Sequence, residues 1–141
     1  QKSRDNSRTP VQWDGSKNAG FSTGTPWIDV ARNYHEINVE QALADKNSVF
    51  YTYQTLIALR KKLAVLTDGD YQDLLPQHPS VWAYQRQTAT ETLTVMANLS
   101  AETQSINLTP QGEVLLNNYA DLAQQAGGMV LKPYQGIYFL A

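Results

Sequence analysis

The sequence contains no cysteine, so disulfide scaffolds, cysteine-based zinc sites and thiol nucleophiles are excluded. It contains no apolar run of the length that a membrane span needs. Its 11 basic and 13 acidic residues give a net charge of −2, which provides no electrostatic platform for nucleic acid or an anionic membrane. What remains is a globular composition, and the lack of cysteine favours a cytoplasmic protein.

The start of the chain also lacks two features, a charged and apolar leader and an initial Met. We therefore expect the 141 residues to be an internal fragment or a processed product of a longer protein. The length suits one ordinary domain, or a small domain with an appendage.

The first 36 residues show no helical or strand period, and glycine and proline interrupt them at short intervals. This opening segment nevertheless carries Trp13, Phe21 and Trp27, and large aromatic side chains favour burial. A loop of this length inside a compact domain is typical of a functional segment. We interpret it as a shaped loop belonging to an active site that the rest of this chain does not contain.

Charged groups cluster at the beginning of this loop, where Arg4 and Arg8 flank Asp5. Guanidinium groups offer planar forks of donors that suit a carboxylate or paired sugar hydroxyls, and the nearby aromatic rings can wall a sugar site. The alternative is that Arg4 pairs with Asp5 and pins the loop while the aromatics pack on neighbouring structure. Residue chemistry alone slightly favours the alternative.

The rest of the chain predicts two parts. Short and long helices are predicted over 38–44 and 48–62, with an apolar stripe on the longer one. Short strands separated by turn signals follow from residue 71 and indicate an antiparallel sandwich or barrel. They include strands at 81–86, 92–99 and 136–140, and a polar loop is predicted after residue 117 through residue 128. We expect an α+β chain with a boundary between residues 1–66 and 67–141.

Other catalytic chemistries find little support. His35 and His78 have no companions at ligand spacing, so we interpret both as solvated or hydrogen-bonded imidazoles and expect no metal site and no cofactor. No nucleophile-elbow glycines surround a serine, and no glycine-rich phosphate loop follows a strand.

The opening motif, Ser-Arg-Asp-Asn-Ser-Arg-Thr-Pro-Val-Gln-Trp-Asp over residues 3–14, is long and specific. It resembles the signature of α-amylase-type α-glucosidases, in the oligo-1,6-glucosidase, dextran glucosidase and trehalose-6-phosphate hydrolase branch of glycoside hydrolase family 13. Later blocks continue the resemblance to about Ser100, among them Asn-Ser-Val-Phe at 47–50 and Val-Trp-Ala-Tyr at 81–84. Val11 replaces the family's usual Met, and Ala31-Arg32 replaces a common Asn-Pro.

The resemblance implies a parent enzyme with a (β/α)₈ barrel and a retaining mechanism that uses two aspartates and one glutamate, all expected before Gln1. This chain would hold the active-site loop, the last barrel helix and a C-terminal β-sandwich, and it would be inactive alone. By family analogy Arg8 binds glucose of an oligosaccharide substrate, while Arg4 and Asp5 hold the loop, and no residue here is catalytic. Terminal α-1,6-linked glucose is the expected substrate, with trehalose 6-phosphate as the alternative.

A reading of another class is a carbohydrate-binding or purely structural β-sandwich module that uses Trp82 or Tyr84. Strand alternation argues against the binding form, because both rings share a face that we expect to pack on the core or on the helix. If the fragment folds alone, we expect its N-terminal part to self-associate, since that part would have lost its apolar partners.

Overall fold

The structure is a computed structural model that describes residues 5, 7–125 and 127–141. The chain divides into two compact units, Gln1–Thr55 and Leu56–Ala141, which are described separately below. Within the described residues, no helix combines the length and the apolar character needed to cross a membrane. The predicted boundary between residues 1–66 and 67–141 stays a prediction.

The first unit consists mostly of turns and short helices. Helix α1 spans Val39–Ala44, and the helix predicted from residue 38 is therefore present with Asn38 at its N-cap. The Asn38 side chain accepts from the Gln41 N–H at 2.8 Å and donates to the Tyr34 carbonyl at 2.8 Å. Asn38 is buried, and its two bonds join the preceding loop to the first turn of the helix.

Helix α2 spans Val49–Lys62, as the apolar stripe predicted, and carries Arg60, Lys61 and Lys62 in its last turn. These cations oppose the negative end of the helix dipole. Helix α3, Val65–Asp68, follows almost at once. The sequence analysis did not predict α3, because four residues are too short to show a helical period.

The second unit is a sandwich of two antiparallel sheets. Its strands are β1 Asp70–Asp73, β2 Val81–Gln87, β3 Thr92–Asn98, β4 Gln104–Ile106, β5 Glu113–Asn117, β6 Ala123–Gln125, β7 Gly128–Leu131 and β8 Gly136–Leu140. One sheet has the order β1-β2-β3-β8-β5 and the other has the order β4-β7-β6. The predicted antiparallel sandwich is confirmed, although strand β6 lies where the sequence predicted a polar loop.

The main core lies between the two sheets. It combines alternate residues of the five-stranded sheet with three residues of the smaller sheet, and its buried members are Val81, Ala83, Met96, Ile106, Met129, Leu131, Ile137 and Phe139. Gly128 lies so close to the Ile106 carbonyl that a Cβ atom there would collide with it. The close approach of β7 to β4 therefore depends on glycine at this position.

A second apolar cluster covers the outer face of the five-stranded sheet. Leu63 and Val65 pack there on Leu93 and Val95, and all four side chains are buried. Arg86 fastens the same helical segment, donating from Nη2 to the Gly69 carbonyl at 2.6 Å and from Nε to the Val65 carbonyl at 3.1 Å. The segment after α2 is therefore part of the second unit.

Candidate substrate-contacting loop

The loop predicted to belong to an active site begins with a turn in which the Arg8 N–H donates to the Asp5 carbonyl at 3.0 Å. Asp5 and Arg8 are both exposed. Arg4 lies outside the described residues, so its predicted pairing with Asp5 stays a prediction. The turn brings the backbone of Asp5 and Arg8 together and leaves both side chains at the surface.

The guanidinium of Arg8 makes no hydrogen bond or ion pair with any of residues 5, 7–125 and 127–141. A planar group with five donors and no partner among the described residues can donate two parallel hydrogen bonds to a carboxylate or to vicinal hydroxyl oxygens. An arginine that contacts substrate needs donors that are free to bond to it. The proposed role of Arg8 therefore agrees with its surroundings in this unit.

The next residues of the loop are fastened to the start of α1. The Gln12 carbonyl accepts from the Val39 N–H at 2.9 Å, and the Trp13 carbonyl accepts from the Glu40 N–H at 3.0 Å. The Gln12 amide also donates to the Ile37 carbonyl. Because free N–H groups at a helix start need acceptors, the loop satisfies them and gains a fixed position.

Three consecutive residues, Asn18, Ala19 and Gly20, have left-handed backbone angles, with φ of 56°, 57° and 65°. The Asn18 amide holds this turn by donating to the carbonyls of Ser22 at 2.9 Å and Gly24 at 2.7 Å. Left-handed geometry is unfavourable for alanine, so the bonds around the turn must offset its cost. Ala19 is also fully buried, which ties the turn to the rest of the unit.

Asp14 supports the same turn from the other side. Its carboxylate accepts from the Ser16 N–H at 2.8 Å and from the Ser16 hydroxyl, and these bonds hold the pKa of Asp14 below its usual range. A Cβ on Gly20 would lie 2.5 Å from an Asp14 oxygen, so a larger residue there would have to displace the Asp14 carboxylate, and the positive φ also favours glycine. The supporting roles of Asn18 and Asp14 were not predicted from the sequence, although the Asn-Ala-Gly run is a signal for such a turn.

The loop aromatics are exposed. Trp13 is 51%, Phe21 48% and Trp27 91% accessible to solvent. Phe21, Ser16, Ser22 and Thr23 line an open cavity of about 520 Å³, together with Lys17 and Gly20. Aromatic and hydroxyl-bearing side chains around one cavity suit contact with sugar or with further polypeptide, and the described residues of the first unit leave Trp27 almost fully exposed.

Both histidines contact residues that are close to them in the sequence. His78 accepts at Nδ1 from the Val81 N–H at 2.9 Å and from the Ser80 N–H at 3.2 Å, so the predicted hydrogen-bonded role is confirmed for this imidazole. The His35 ring lies against Tyr34, with centroids 3.9 Å apart. Within the described part of the chain, no group of three or more His, Asp or Glu side chains is placed to hold a metal ion.

Two family models match the chain in the predicted order. The alpha amylase catalytic domain matches residues 1–69, and the alpha-amylase SusG C-terminal domain matches residues 81–137. The chain therefore belongs to the alpha-amylase family, and it carries the end of the catalytic domain followed by the C-terminal β domain. The resemblance predicted from the opening motif and the predicted fold class are both confirmed.

Individual relatives agree with this placement. The chain is 51% identical to trehalose-6-phosphate hydrolase of Escherichia coli K12 and 48% identical to oligo-1,6-glucosidase of Heyndrickxia coagulans, over 99% of its own length in both alignments. The crystal structure of Bacillus licheniformis trehalose-6-phosphate hydrolase superposes on 99% of the chain with a TM-score of 0.92 and 44% identity. The chain spans about a quarter of these relatives, namely 26%, 25% and 26% of their lengths.

Proposed function

We propose that this chain is the C-terminal part of a retaining α-glucosidase, and that the complete protein hydrolyses α-glucosidic bonds of short oligosaccharides. The alignment over 99% of the chain with oligo-1,6-glucosidase and trehalose-6-phosphate hydrolase carries the proposal. We assign terminal α-1,6-linked glucose as the substrate, because 1,6-glucosidases recur among the relatives. Residues 1–66 would then complete the barrel domain and residues 67–141 would form the β domain.

Trehalose 6-phosphate is the second candidate substrate, supported by the 51% identity to a trehalose-6-phosphate hydrolase. The complete protein should be assayed with isomaltose and with trehalose 6-phosphate, and glucose and glucose 6-phosphate should be measured. We expect a higher kcat/KM for isomaltose. Hydrolysis of trehalose 6-phosphate alone would establish the second candidate, and no hydrolysis of either would overturn the α-glucosidase proposal.

Within that enzyme, Arg8 contacts the glucose unit at the cleaved bond, and Arg4 and Asp5 hold the loop. The support for Arg8 is its exposed guanidinium, which has no bonded partner in the described residues. The reacting carboxylates would belong to the part of the barrel that precedes this chain. The 141-residue chain should therefore release no product from an aryl α-glucoside above the buffer blank.

The carbohydrate-binding or structural module remains a competing class, and titration calorimetry with maltose, isomaltose and panose separates it from our proposal. Heat of binding by the 141-residue chain would favour a binding module. We also propose a cytoplasmic location for the enzyme, and self-association of the isolated chain through its N-terminal part. Exposed Trp27, Ile37 and Val49 support the self-association, because exposed apolar surface favours association.

A further inference from the structure

Three aromatic side chains, Tyr71, Trp82 and Tyr84, form a cluster that we call the aromatic triad. The rings of Tyr71 and Tyr84 have centroids 5.4 Å apart, and those of Trp82 and Tyr84 are 4.9 Å apart. The Trp82 Nε1–H donates to the Tyr71 hydroxyl at 3.3 Å. Tyr84 thus lies between two partners that also bond to each other, on the outer face of β1 and β2.

The triad presents ring surface rather than hydrogen-bonding groups. Tyr71 is 53% and Trp82 is 49% exposed, whereas Tyr84 is half-buried. Burial, with Tyr138 beside it, raises the pKa of Tyr84 to about 12. Because the Trp82 N–H is already used within the triad, the exposed surface suits an apolar partner better than a ligand that needs donors and acceptors.

The triad continues an interface that this chain already contains. Tyr84 packs against the outer cluster in which Leu63 and Val65 lie on the sheet. Those two residues belong to the 1–69 segment that matches the alpha amylase catalytic domain, whereas the sheet residues from 81 onward match the C-terminal domain. Catalytic-domain residues therefore already cover one part of this sheet face, and the triad is the adjoining part that they leave exposed.

We propose that the aromatic triad docks an apolar surface of the catalytic domain outside this chain and so extends the interface between that domain and the β-sandwich. The inference rests on the proposed function, because it requires the remainder of the barrel. Relatives about four times longer than this chain supply enough additional polypeptide for such a surface. A half-exposed triad in this chain becomes a buried anchor in the complete protein.

Hydroxyl-radical footprinting of the complete protein tests the proposal, with peptide-resolved mass spectrometry as the readout. Tyr71 and Tyr134 are matched probes, because they are 53% and 63% exposed in this chain and lie in the same unit. We expect Tyr71 to be labelled severalfold more slowly than Tyr134 in the complete protein, at every protein concentration and without added sugar. Equal labelling of the two tyrosines would overturn the proposal.

Two further outcomes would also overturn it. Protection of Tyr71 that appears only when maltotriose or isomaltotriose is added would make the triad a sugar platform. Protection that grows with protein concentration would assign the surface to a second copy. Footprinting does not use activity, so a protein with protected Tyr71 and no α-glucosidase activity would refute the proposed function and leave this inference standing.

Substitution gives a second measurement. Trp82→Ala in the complete protein should lower the midpoint of thermal unfolding by several degrees, because it removes a buried ring from the interface. Leu99→Ala is the control, since Leu99 is 65% exposed in the same unit. Equal midpoints for the Trp82→Ala and Leu99→Ala proteins would count against docking.

Discussion

The two units of the chain bury their apolar residues to very different extents. In the first unit most of the large hydrophobic side chains of the loop and helices are exposed, and the buried apolar residues of its described part are the small residues Pro10 and Ala19. In the second unit, two apolar clusters enclose fully buried leucines, methionines and an isoleucine. The first unit is held by turns, caps and side-chain amides, whereas the second is held by a hydrophobic core.

Hydrogen bonds set the conformation of the loop in the first unit, whereas burial of apolar side chains stabilises the second unit. The bonds of Gln12, Asn18 and Asn38 fix a loop conformation without burying much apolar surface. Burial of apolar area supplies most of the free energy of folding, so the second unit can be stable by itself. The exposed apolar side chains of the first unit agree with the proposed function, in which this unit contacts further polypeptide or substrate in the complete protein.

The same substitution made in both units tests whether they differ in this way. Leu93→Ala removes a fully buried side chain, and Leu43→Ala removes one that is 46% exposed in α1. We expect Leu93→Ala to lower the free energy of unfolding by about 2–5 kcal/mol, and Leu43→Ala by about 0.5 kcal/mol or less. Urea denaturation of the 141-residue chain, followed by circular dichroism, measures both.

Equal losses for the two leucines would contradict the assignment of the hydrophobic core to the second unit alone. A larger loss for Leu43→Ala would show that α1 is buried in a self-associated form of the chain. Repeating the measurement at several protein concentrations identifies that case, because the stability of an associated form depends on concentration.

The next prediction concerns activity rather than stability. Arg8→Ala in the complete protein should lower kcat/KM roughly tenfold or more, because a hydrogen bond to a charged group contributes about 1.5–3 kcal/mol. Arg32→Ala is the control, since Arg32 is another exposed arginine of the same unit. Steady-state kinetics with an aryl α-glucoside and with isomaltose measure the effect.

Thermal unfolding of both arginine variants completes that experiment. The Arg8 side chain makes no hydrogen bond or ion pair within the described residues, so we expect its replacement to leave the unfolding midpoint unchanged. Unchanged kinetics would remove Arg8 from the substrate site. A lowered midpoint together with lowered activity would instead make Arg8 a structural residue of the loop.

A third prediction concerns the second unit, where the buried residues Thr94, Asn98 and Gln135 are polar. Asn98 is 1% exposed, and its amide donates to the carbonyls of Glu102, Leu131 and Lys132 at 2.7, 3.3 and 2.9 Å. Asn98→Ala leaves these acceptors without that donor, so we expect a loss of about 1–3 kcal/mol in the free energy of unfolding.

Asn107→Ala is the matched control, because Asn107 is exposed. Urea denaturation of the two variants should separate them clearly. Similar stabilities would mean that water enters the site and replaces the amide, and the network around Asn98 would then contribute little to the sandwich.

The elements that sequence predicted best are those with long periodic patterns. Helix α2 and strands β2, β3 and β8 follow the predicted positions within one residue, because burial on one face repeats at 3.6 or 2 residues. Strand β6 was not predicted because Ala-Gln-Gln has no apolar alternation. It forms a strand through its antiparallel pairing with β7, which the composition of the segment does not indicate.

The conformation of the candidate site, in contrast, could not be predicted from a periodic pattern. The motif around Arg8 indicated the family and the residue. The left-handed turn at Asn18 and Ala19, in contrast, depends on the bond from the Asn18 amide to the Ser22 carbonyl and on the Asp14 carboxylate beside Gly20, and the sequence pattern does not show these contacts. The exposure of Trp27 agrees with the expectation that the N-terminal part of this chain has lost its apolar partners, although composition alone favours burial of tryptophan.

The smallest expected effect is electrostatic and lies at the surface of the second unit. Lys132 donates to Asp121 at 2.6 and 2.8 Å, and this hydrogen bond, with the lysine charge, holds the pKa of Asp121 below its ordinary value of 3.8. A lowered pKa in the folded state stabilises the fold above the pKa of the unfolded carboxyl. That contribution disappears as the pH falls through the lowered pKa.

Asp121→Asn should therefore unfold at slightly lower urea concentration than the original chain at pH 7, and the two should converge in strongly acidic solution. Added salt should also reduce the difference at pH 7, because exposed charges are screened. Asp70→Asn, at an exposed aspartate without an ion-pair partner among the described residues, is the control. A difference between Asp121→Asn and the original chain that stays constant with pH would mean that the substitution does not act through the charge of Asp121.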